Sequence, residues 1–227
     1  YFHKDIGFTN DIRSLLKKTG DLERCITRLN MGRSTPKDLL SIKYTIGIAE
    51  EISAIFVAQK GIKVPEYIEK LVNPLLGLNE IYELIECAVR DDAPNVTANG
   101  GIIKHEYHPK IKELYGLINN SQDAVEKLRD QYRLGTGIET LKVSNNNVLG
   151  LFIDITARHA NKILDEKFIH RQTTANSIRY TTVELQELES KIINARILVI
   201  SLEQEIYNEL CQKITNEQIA LYKMSES

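Results

Sequence analysis

The chain has 227 residues, which is enough for one large domain or two smaller ones. Its 42% hydrophobic and 26% charged residues are ordinary proportions for a soluble globular protein. No run of about 18 apolar residues is present, which excludes a predicted membrane span, and we expect a cytoplasmic protein.

The cysteines and the N-terminal residues also limit the class of protein. The three cysteines are far apart and lack metal-ligand spacing, so we expect buried thiols in a reducing compartment: Cys25, Cys87 and Cys211. The first residues do not form a signal peptide and include no initiator Met. We therefore expect a piece of a longer polypeptide.

Helical spacing dominates the first 61 residues. Apolar side chains recur on one face from Leu22 to Leu29, and Gly32 follows the end of this helix. A second helix follows, with its apolar positions again at helical spacing. Its boundaries are predicted by Ser34 or Thr35 as N-cap, Pro36 at the first helical position and Gly61 at the end.

The middle of the chain predicts two more helices and a turn. Apolar spacing indicates one helix from about Pro74 to Val89 and another from Pro109 to about Tyr132. Between them, Asn99-Gly100 separates two short apolar runs, which predicts a hairpin turn.

β-type sequence interrupts the helices only after this point. Two strands are predicted around Thr140–Val143 and Val148–Thr156, with three asparagines between them as turn residues. The next stretch, "FIHRQTTANSIRYTT", gathers arginines, amides and hydroxyls without an apolar period. We expect the side chains of Arg171 and Asn176 to face solvent.

The last predicted helix is the longest. Thr181 and Glu184 have capping-box spacing, and no Pro or Gly occurs from there to the end. A seam of apolar residues alternates steps of three and four: Leu185, Leu188, Ile192, Ala195, Val199, Leu202, Ile206 and Leu210. About 40 helical residues reach roughly 60 Å, which requires an antiparallel partner. The helix that precedes the β-type insert is the expected one.

The fold class expected from these elements is mainly α. Long antiparallel helices and a helical core carry a small β-containing module, inserted at the far tip of the helices. Charge is divided in the same way, because residues 142–180 hold six basic and three acidic side chains, a formal charge of +3. The remainder carries −5, so only the insert is suited to a polyanion.

Three blocks in order resemble the core and clamp segments of the MutS family of DNA mismatch-repair proteins. They are "GDLERCITRLNMGRSTPKDLLSIK", "TGIETLKVSNNNVLGLFIDIT" and "HRQTTANSIRYTTVELQELESKI". The resemblance covers nearly the whole chain. It implies core and lever helices over residues 1–130, a clamp over 131–180, and a lever helix returning to the core over 181–227.

Some positions depart from the family pattern. His170 stands where most members have Arg before Arg-Gln-Thr, and Val183 stands where Pro often follows the Thr at the helix start. The sequence Gly150-Leu151-Phe152 replaces a common Gly-Tyr-Tyr. The first change would reduce phosphate contact at neutral pH.

The resemblance also implies partners and cofactors, and two motifs missing from this sequence limit which of them the chain uses. Family members form a homodimeric ring around double-stranded DNA, act with MutL and use ATP and Mg²⁺. This sequence has neither the Phe-x-Glu motif of mispair recognition nor a G-x-x-x-x-G-K-[ST] phosphate loop. We therefore expect no cofactor in this chain and no enzymatic activity, only contact with the DNA backbone, in association with the nucleoid.

The polar stretch and the basic insert supply the candidate DNA contacts, because Arg, Lys and amide side chains bind phosphate oxygens without reading sequence. The candidates are Arg171, Gln172, Thr173, Asn176 and Arg179, with Lys142, Arg158 and His159 in addition. Two of them have a structural alternative. Arg179 could pair with a glutamate of the following helix, such as Glu184, and Lys142 could simply flank a strand.

Other interpretations of the sequence are weaker. A metal site at His105, Glu106 and His108 is disfavoured because such groups on one loop are common by chance, and Asp91-Asp92 are typical of a solvated loop after a helix. A structural coiled-coil adaptor that binds another protein through the long helices would not need the basic insert. A MutS-like branch specialised in suppressing recombination lacks the clamp insert. This sequence contains such an insert, so membership of that branch is disfavoured.

Overall fold

The computed structural model describes residue 2 and residues 5–58, 64–163 and 165–227. The protein is mainly helical and contains a four-stranded antiparallel sheet, which confirms the expected fold class. The chain divides into two compact units. The helical unit consists of Tyr1–His108 with Ile200–Ser227, and the sheet unit consists of Pro109–Val199.

The helical unit is built from short and medium helices. In chain order they are α1 (Ile6–Leu16), α2 (Leu22–Asn30), α3 (Pro36–Ala58), α4 (Glu66–Val72), α5 (Asn79–Ala88), the part of α7 (Val183–Asn216) from Ile200 onward, and α8 (Gln218–Ser225). The sequence patterns predicted α2 and α3 but not α1 or α4. α4 has 7 residues and gives little room for a period to appear. α1 has 11 residues, two more than α2, and its buried Phe8, Ile12 and Leu15 have a helical spacing that was overlooked.

The start of α3 shows which of the two candidate caps is used. Thr35 immediately precedes the helix, and its carbonyl accepts the first helical hydrogen bond, from the N–H of Asp38 at 2.9 Å. In return the Asp38 carboxylate accepts from the backbone N–H of Thr35 at 2.8 Å and from its hydroxyl at 2.9 Å. This reciprocal cap, with Pro36 at the first position, explains the sharp start. The predicted end at Gly61 lies outside the described residues.

Two predictions in the helical unit were wrong. The helix predicted from Pro74 begins at Asn79, because Asn73–Leu75 form a 3-10 turn before it. Asn99-Gly100 is not a hairpin turn either, since Thr97–Asn99 form another 3-10 turn. The apolar runs on each side meet only in an isolated bridge between Val89 and Ile103.

Gly100 has a different role from the predicted one. It has a φ of +72°, and an added Cβ would lie 3.1 Å from the side chain of Ile200 and 3.0 Å from that of Glu203. Glu203 is fully buried and accepts from the backbone N–H of Ile102 at 3.2 Å. The glycine thus permits a close approach of this loop to α7.

The sheet unit contains α6 (Pro109–Thr136), the four strands and the first part of α7. Leu114 and Ile118 near the start of α6 pack against Ala195 and Val199 of α7. At the other end of α6, the hydroxyl of Tyr132 lies 2.7 Å from that of Thr182, directly before α7. The two helices are therefore antiparallel, which confirms the expected pairing of the apolar seam within this unit.

The strands are β1 (Lys142–Asn146), β2 (Gly150–Thr156), β3 (Ile169–Thr173) and β4 (Ser177–Thr181). Their order in the sheet is β1-β2-β4-β3, and all neighbours are antiparallel. One face packs on the helices, with Ile153 and Ile155 in a cluster that includes Tyr132 and Leu185. This buried face fixes which side chains of the sheet remain on the opposite, outer face.

The first two strands were predicted with shifted starts, but β3 and β4 were missed. Every residue of β3 is exposed, because it is an edge strand of the sheet. β3 has no buried face and therefore no alternation of apolar and polar residues, which explains why it was missed. β4 does alternate, with Ile178 and Tyr180 between polar residues, and this signal was overlooked. The polar stretch is thus a β-hairpin rather than an irregular segment.

Three further corrections concern the last helix and a cysteine. The N-cap of α7 is Thr182 rather than Thr181, because the Thr182 hydroxyl accepts from the N–H of Leu185 at 3.1 Å. The helix ends after 34 residues at Asn216, and Glu217 separates it from α8. Cys87 is exposed, although Cys25 is buried as expected and Cys211 is half-buried.

Candidate nucleic-acid interface

The outer face of the sheet carries a row of polar side chains across all four strands. Lys142 of β1 pairs with Asp154 of β2, Asp154 with Arg179 of β4, and Arg179 with Gln172 of β3. Side chains that are directly opposite in neighbouring strands share a face. Three of the eight candidate contact residues, Lys142, Gln172 and Arg179, are therefore brought into one row.

Arg179 is held within this row by several partners. Its guanidinium donates to Oε1 of Gln172 at 2.8 Å and lies 4.6 Å above the ring of Phe152. Its Nε lies 3.7 Å from Oδ1 of Asp154, close enough for an ion pair but too far for a hydrogen bond, and this buried N–H has no hydrogen-bond acceptor. The partner of Arg179 is thus a sheet carboxylate, and the suggested pairing with Glu184 is not the one observed.

Arg171 is in a different situation. The pairing of β3 with β4 shifts between His170 and Gln172, so Arg171 is the extra residue of a β-bulge and has no cross-strand partner. Bulges turn the side chains of the bulged strand away from the regular alternation. Among the described residues, no hydrogen bond or ion pair involves the exposed Arg171 side chain. Its charge is therefore available to a ligand.

The turn between β3 and β4 is tightly closed. Backbone N–H of Thr174 donates to the carbonyl of Ser177 at 2.8 Å, and the N–H of Ser177 donates to the Thr174 hydroxyl at 3.1 Å. The carbonyl of Asn176 accepts from the N–H of Ala157 at 3.1 Å, which ties the turn to the end of β2. Thr173 and Asn176 are both exposed at this turn.

The segment after β2 brings further basic residues to the same end of the sheet. Ala157–Lys162 form a 3-10 turn that contains Arg158 and His159. Arg158 is exposed, and the described residues offer it no ion pair or hydrogen bond. His159 Nδ1 lies 3.4 Å from the Thr156 hydroxyl and 3.5 Å from that of Thr140, so this half-buried ring is held by its neighbours.

The structure therefore sorts the predicted residues into two groups. Four residues are exposed at the bulge, the β3–β4 turn and the adjacent 3-10 turn: Arg171, Thr173, Asn176 and Arg158. Gln172 and Arg179 form a hydrogen bond with each other in the row on the outer face of the sheet. His170, the departure from the family pattern, donates to or accepts from Thr173 Oγ1 through Nε2 at 2.9 Å. The sequence reasoning missed Asp154, Thr174 and Ser177, although Thr-x-x-Ser is a spacing typical of side-chain-closed turns.

The other candidate groups have structural roles. Asp91 accepts from Nζ of Lys43 at 2.7 Å, as does Glu86, and only 3% of the Lys43 side chain is exposed. Burial alone would lower the pKa of Lys43, but the hydrogen bonds to the two carboxylates outweigh it and raise that pKa. Among the described residues, no group of three His, Cys, Asp or Glu is arranged to hold a metal ion.

No helix in the described ranges is both long and apolar enough to cross a membrane.

Residues 106–197 match the model of MutS family domain IV, a range that includes the whole sheet and its turn. The DNA mismatch repair protein MutS of Rickettsia bellii (strain OSU 85-389) is 55% identical over 217 residues, which are 96% of this chain and 24% of that protein. MutS of Rickettsia conorii (strain ATCC VR-613 / Malish 7) is 54% identical over 227 residues, 100% of this chain and 26% of that protein.

The fold defines the class of protein: it is rich in helices and carries a small sheet in a basic segment. With these similarities, the chain belongs to the MutS family. It spans about a quarter of the length of the curated relatives that it matches.

Proposed function

We propose that the sheet unit grips the backbone of double-stranded DNA in a MutS-type mismatch-repair protein. The observation that carries this proposal is Arg171, an exposed cation that a β-bulge leaves without a cross-strand partner, and without an ion pair among the described residues, beside a closed, polar turn. A guanidinium binds phosphate oxygens in a charge-assisted, often bidentate geometry. The exposed amide of Asn176 and the hydroxyl of Thr173 add neutral hydrogen bonds at the same place.

Charge supports the same assignment. The segment 142–180 has a formal charge of +3, while the chain as a whole has −2. Phosphate contacts supply the non-specific part of DNA binding and carry no sequence information, which suits a protein that must hold any duplex. Lys142, Arg158 and His159 are proposed as secondary contacts, because they lie on the outer face or at the same end of the sheet.

The remaining roles follow from the family. In this proposal α6 and α7 act as a lever that carries the clamp, and the helical unit is part of the core. The sequence lacks the Phe-x-Glu motif and a phosphate loop. Mispair recognition and ATP hydrolysis with Mg²⁺ would therefore depend on other segments of such a protein. A homodimer of the full-length protein and cooperation with MutL are proposed from the family alone.

A second candidate function has one observation in its favour. Ile193 and Ile197 lie one helical turn apart on α7 and expose 47% and 59% of their surface. An exposed apolar pair on a long helix favours contact with another protein, as in a coiled-coil adaptor. An Ile197→Asp variant tests it: a change in oligomeric state by sedimentation with unchanged DNA affinity would favour the adaptor.

A titration of fluorescein-labelled duplex DNA, followed by anisotropy, tests the main proposal. We expect a dissociation constant of about 10⁻⁴ to 10⁻⁶ M, and weaker binding at about 200 mM than at about 50 mM salt. Affinity should be equal for a homoduplex and a G·T heteroduplex, and the purified chain should not hydrolyse ATP. Binding that does not respond to salt, or a clear preference for the mismatch, would contradict the proposal.

A further inference from the structure

One acidic residue lies in the middle of the proposed DNA-contacting surface. Asp154 is on β2, in the outer row between Lys142 and Arg179, and about a third of its side chain is exposed. A carboxylate at such a place repels phosphate groups, so simple electrostatics predicts that it weakens DNA binding. Its contacts indicate what it contributes instead.

Asp154 is joined to β4 at two positions. Ser177 donates from Oγ to Oδ1 of Asp154 at 2.7 Å, and the Arg179 guanidinium forms an ion pair with the same oxygen at 3.7 Å. Ser177 is also the residue that closes the β3–β4 turn, through Thr174. The carboxylate therefore holds the last residue of the turn and, two residues later, the arginine of the row.

Both contacts act on the placement of other groups. With Ser177 held by Asp154, the turn that presents Asn176 has fewer conformations to lose, so less conformational entropy is lost on binding. With Arg179 held between Asp154, Gln172 and the ring of Phe152, β4 keeps its register against β3. That register creates the bulge at Arg171.

We propose that Asp154 is a positioning residue, which orders the β3–β4 turn and the Arg171 bulge for contact with the phosphate backbone. The inference rests on the proposed DNA-binding function. It predicts that removing the carboxylate weakens DNA binding, because the turn is released. Electrostatics alone predicts stronger binding, because a repulsive charge is removed.

Three variants separate the two effects. Asp154→Ala removes both the charge and the acceptor, and we expect binding about fivefold weaker than in the parent, the effect of one lost hydrogen bond. Asp154→Asn keeps an oxygen for Ser177 but removes the charge and with it the ion pair to Arg179, which Gln172 and Phe152 still hold, so its affinity should equal or exceed that of the parent. Ser177→Ala removes the donor to Asp154 together with the contact to the Thr174 hydroxyl, so it should weaken binding at least as much as Asp154→Ala.

Glu166→Ala provides the matched control. Glu166 is exposed in the same basic segment and has no hydrogen bond or ion pair among the described residues, so its loss makes the same charge change without releasing the turn. Its affinity should equal or exceed that of the parent. The combined Asp154→Ala and Ser177→Ala variant should weaken binding by less than the sum of the two single effects, because both remove the hydrogen bond between Asp154 and Ser177.

All affinities are measured by anisotropy at a temperature where the circular dichroism of each variant shows it fully folded, so that lost stability does not count as lost binding. Asp154→Ala binding as tightly as Glu166→Ala would overturn the positioning role. If Arg171→Glu also leaves binding unchanged, the DNA-binding proposal itself fails. If Arg171→Glu weakens binding while Asp154→Ala does not, only the role of Asp154 is lost.

Discussion

Glu189 of α7 accepts a hydrogen bond from the backbone N–H of Leu151, with 2.9 Å between Oε1 and N. The carboxylate thereby occupies the space beside Gly150, where an added Cβ would collide with it. Gly150 also has a φ of +68°, which side chains other than glycine rarely adopt. This contact fixes the start of β2 to the helix and explains why glycine is needed there.

Gly150→Ala should therefore destabilise the protein. The left-handed backbone costs an L-residue about 1–2 kcal/mol, and displacement of Glu189 loses a hydrogen bond of about 1 kcal/mol. We expect the free energy of unfolding to fall by about 2 kcal/mol, measured by urea denaturation and circular dichroism. Gly116 of α6 offers the opposite control, because an added Cβ meets nothing within 4 Å there. Gly116→Ala should raise stability by up to about 1 kcal/mol, and equal effects at both sites would contradict this explanation.

Thr182→Ala should also destabilise the sheet unit. The change removes the N-cap hydrogen bond to Leu185, worth about 1 kcal/mol, and leaves the hydroxyl of the buried Tyr132 without the Thr182 partner. We expect a loss of about 2 kcal/mol in thermal and urea unfolding. Tyr132→Phe in the same background should recover part of it.

The control for this prediction is Glu184, which the sequence pattern placed in a capping box. Glu184 is exposed, so Glu184→Ala should change the free energy of unfolding by no more than about 0.5 kcal/mol. A large loss in Glu184→Ala with little in Thr182→Ala would favour the cap at Thr181.

The combined Arg171→Glu and Asn176→Asp change should nearly abolish DNA binding. Both side chains are exposed, so stability should change by no more than about 0.5 kcal/mol. Loss of one phosphate contact lowers the magnitude of the slope of log K against log salt by about 0.9, and the new carboxylates add repulsion. Anisotropy titrations at several salt concentrations measure both quantities.

Lys191→Glu on α7 provides the charge-matched control for Arg171→Glu, because this exposed lysine lies outside the sheet and its turn. Its effect on affinity should be much smaller. A double variant that melts well below the parent would mean that Arg171 supports the fold. Normal folding with unchanged binding would remove these two residues from the interface and contradict the DNA-binding proposal, which rests on Arg171.

Acid should weaken the helical unit through Lys43. Hydrogen bonds from its ammonium group lower the pKa of Asp91 and of Glu86. Carboxylates with lowered pKa values in the folded state stabilise it above their unfolded pKa, near pH 4, and lose that contribution as the pH falls through the lowered values. The urea midpoint should therefore decrease between about pH 5 and pH 2.

Lys43→Met should make this pH dependence shallower, because the two carboxylates lose the hydrogen bonds that lower their pKa values. Lys70→Met removes a lysine from an exposed pair with Glu66 and should leave the parental slope. Equal slopes in the parent and Lys43→Met would show that other groups govern acid sensitivity.

Several features were predictable because they repeat along the chain. Apolar residues at helical spacing predicted α2, α3 and α6, and the seam of α7 predicted its antiparallel pairing with α6, now observed between Leu114 and Val199. The 7-residue α4 and the 3-10 turns were missed or misplaced, since so few residues cannot show a period. The order of the three MutS-like blocks was also a property of sequence alone.

The sequence by itself determined the helical frame, the basic composition of residues 142–180 and the resemblance to MutS, because periodicity, charge and motif order are properties of the linear chain. Only the tertiary structure decided how the polar stretch is used. It forms an edge hairpin whose outer strand, β3, has no apolar alternation, so no local pattern reveals which residues of β4 become its neighbours. The pairing of β2 with β4 brings Asp154 to Arg179, and the bulge in β3 leaves Arg171 unpaired. Which arginine is held and which is available depends on strand register: the buried face fixes the register of β2 against β4, and the bond from Arg179 to Gln172 joins β4 to the exposed β3.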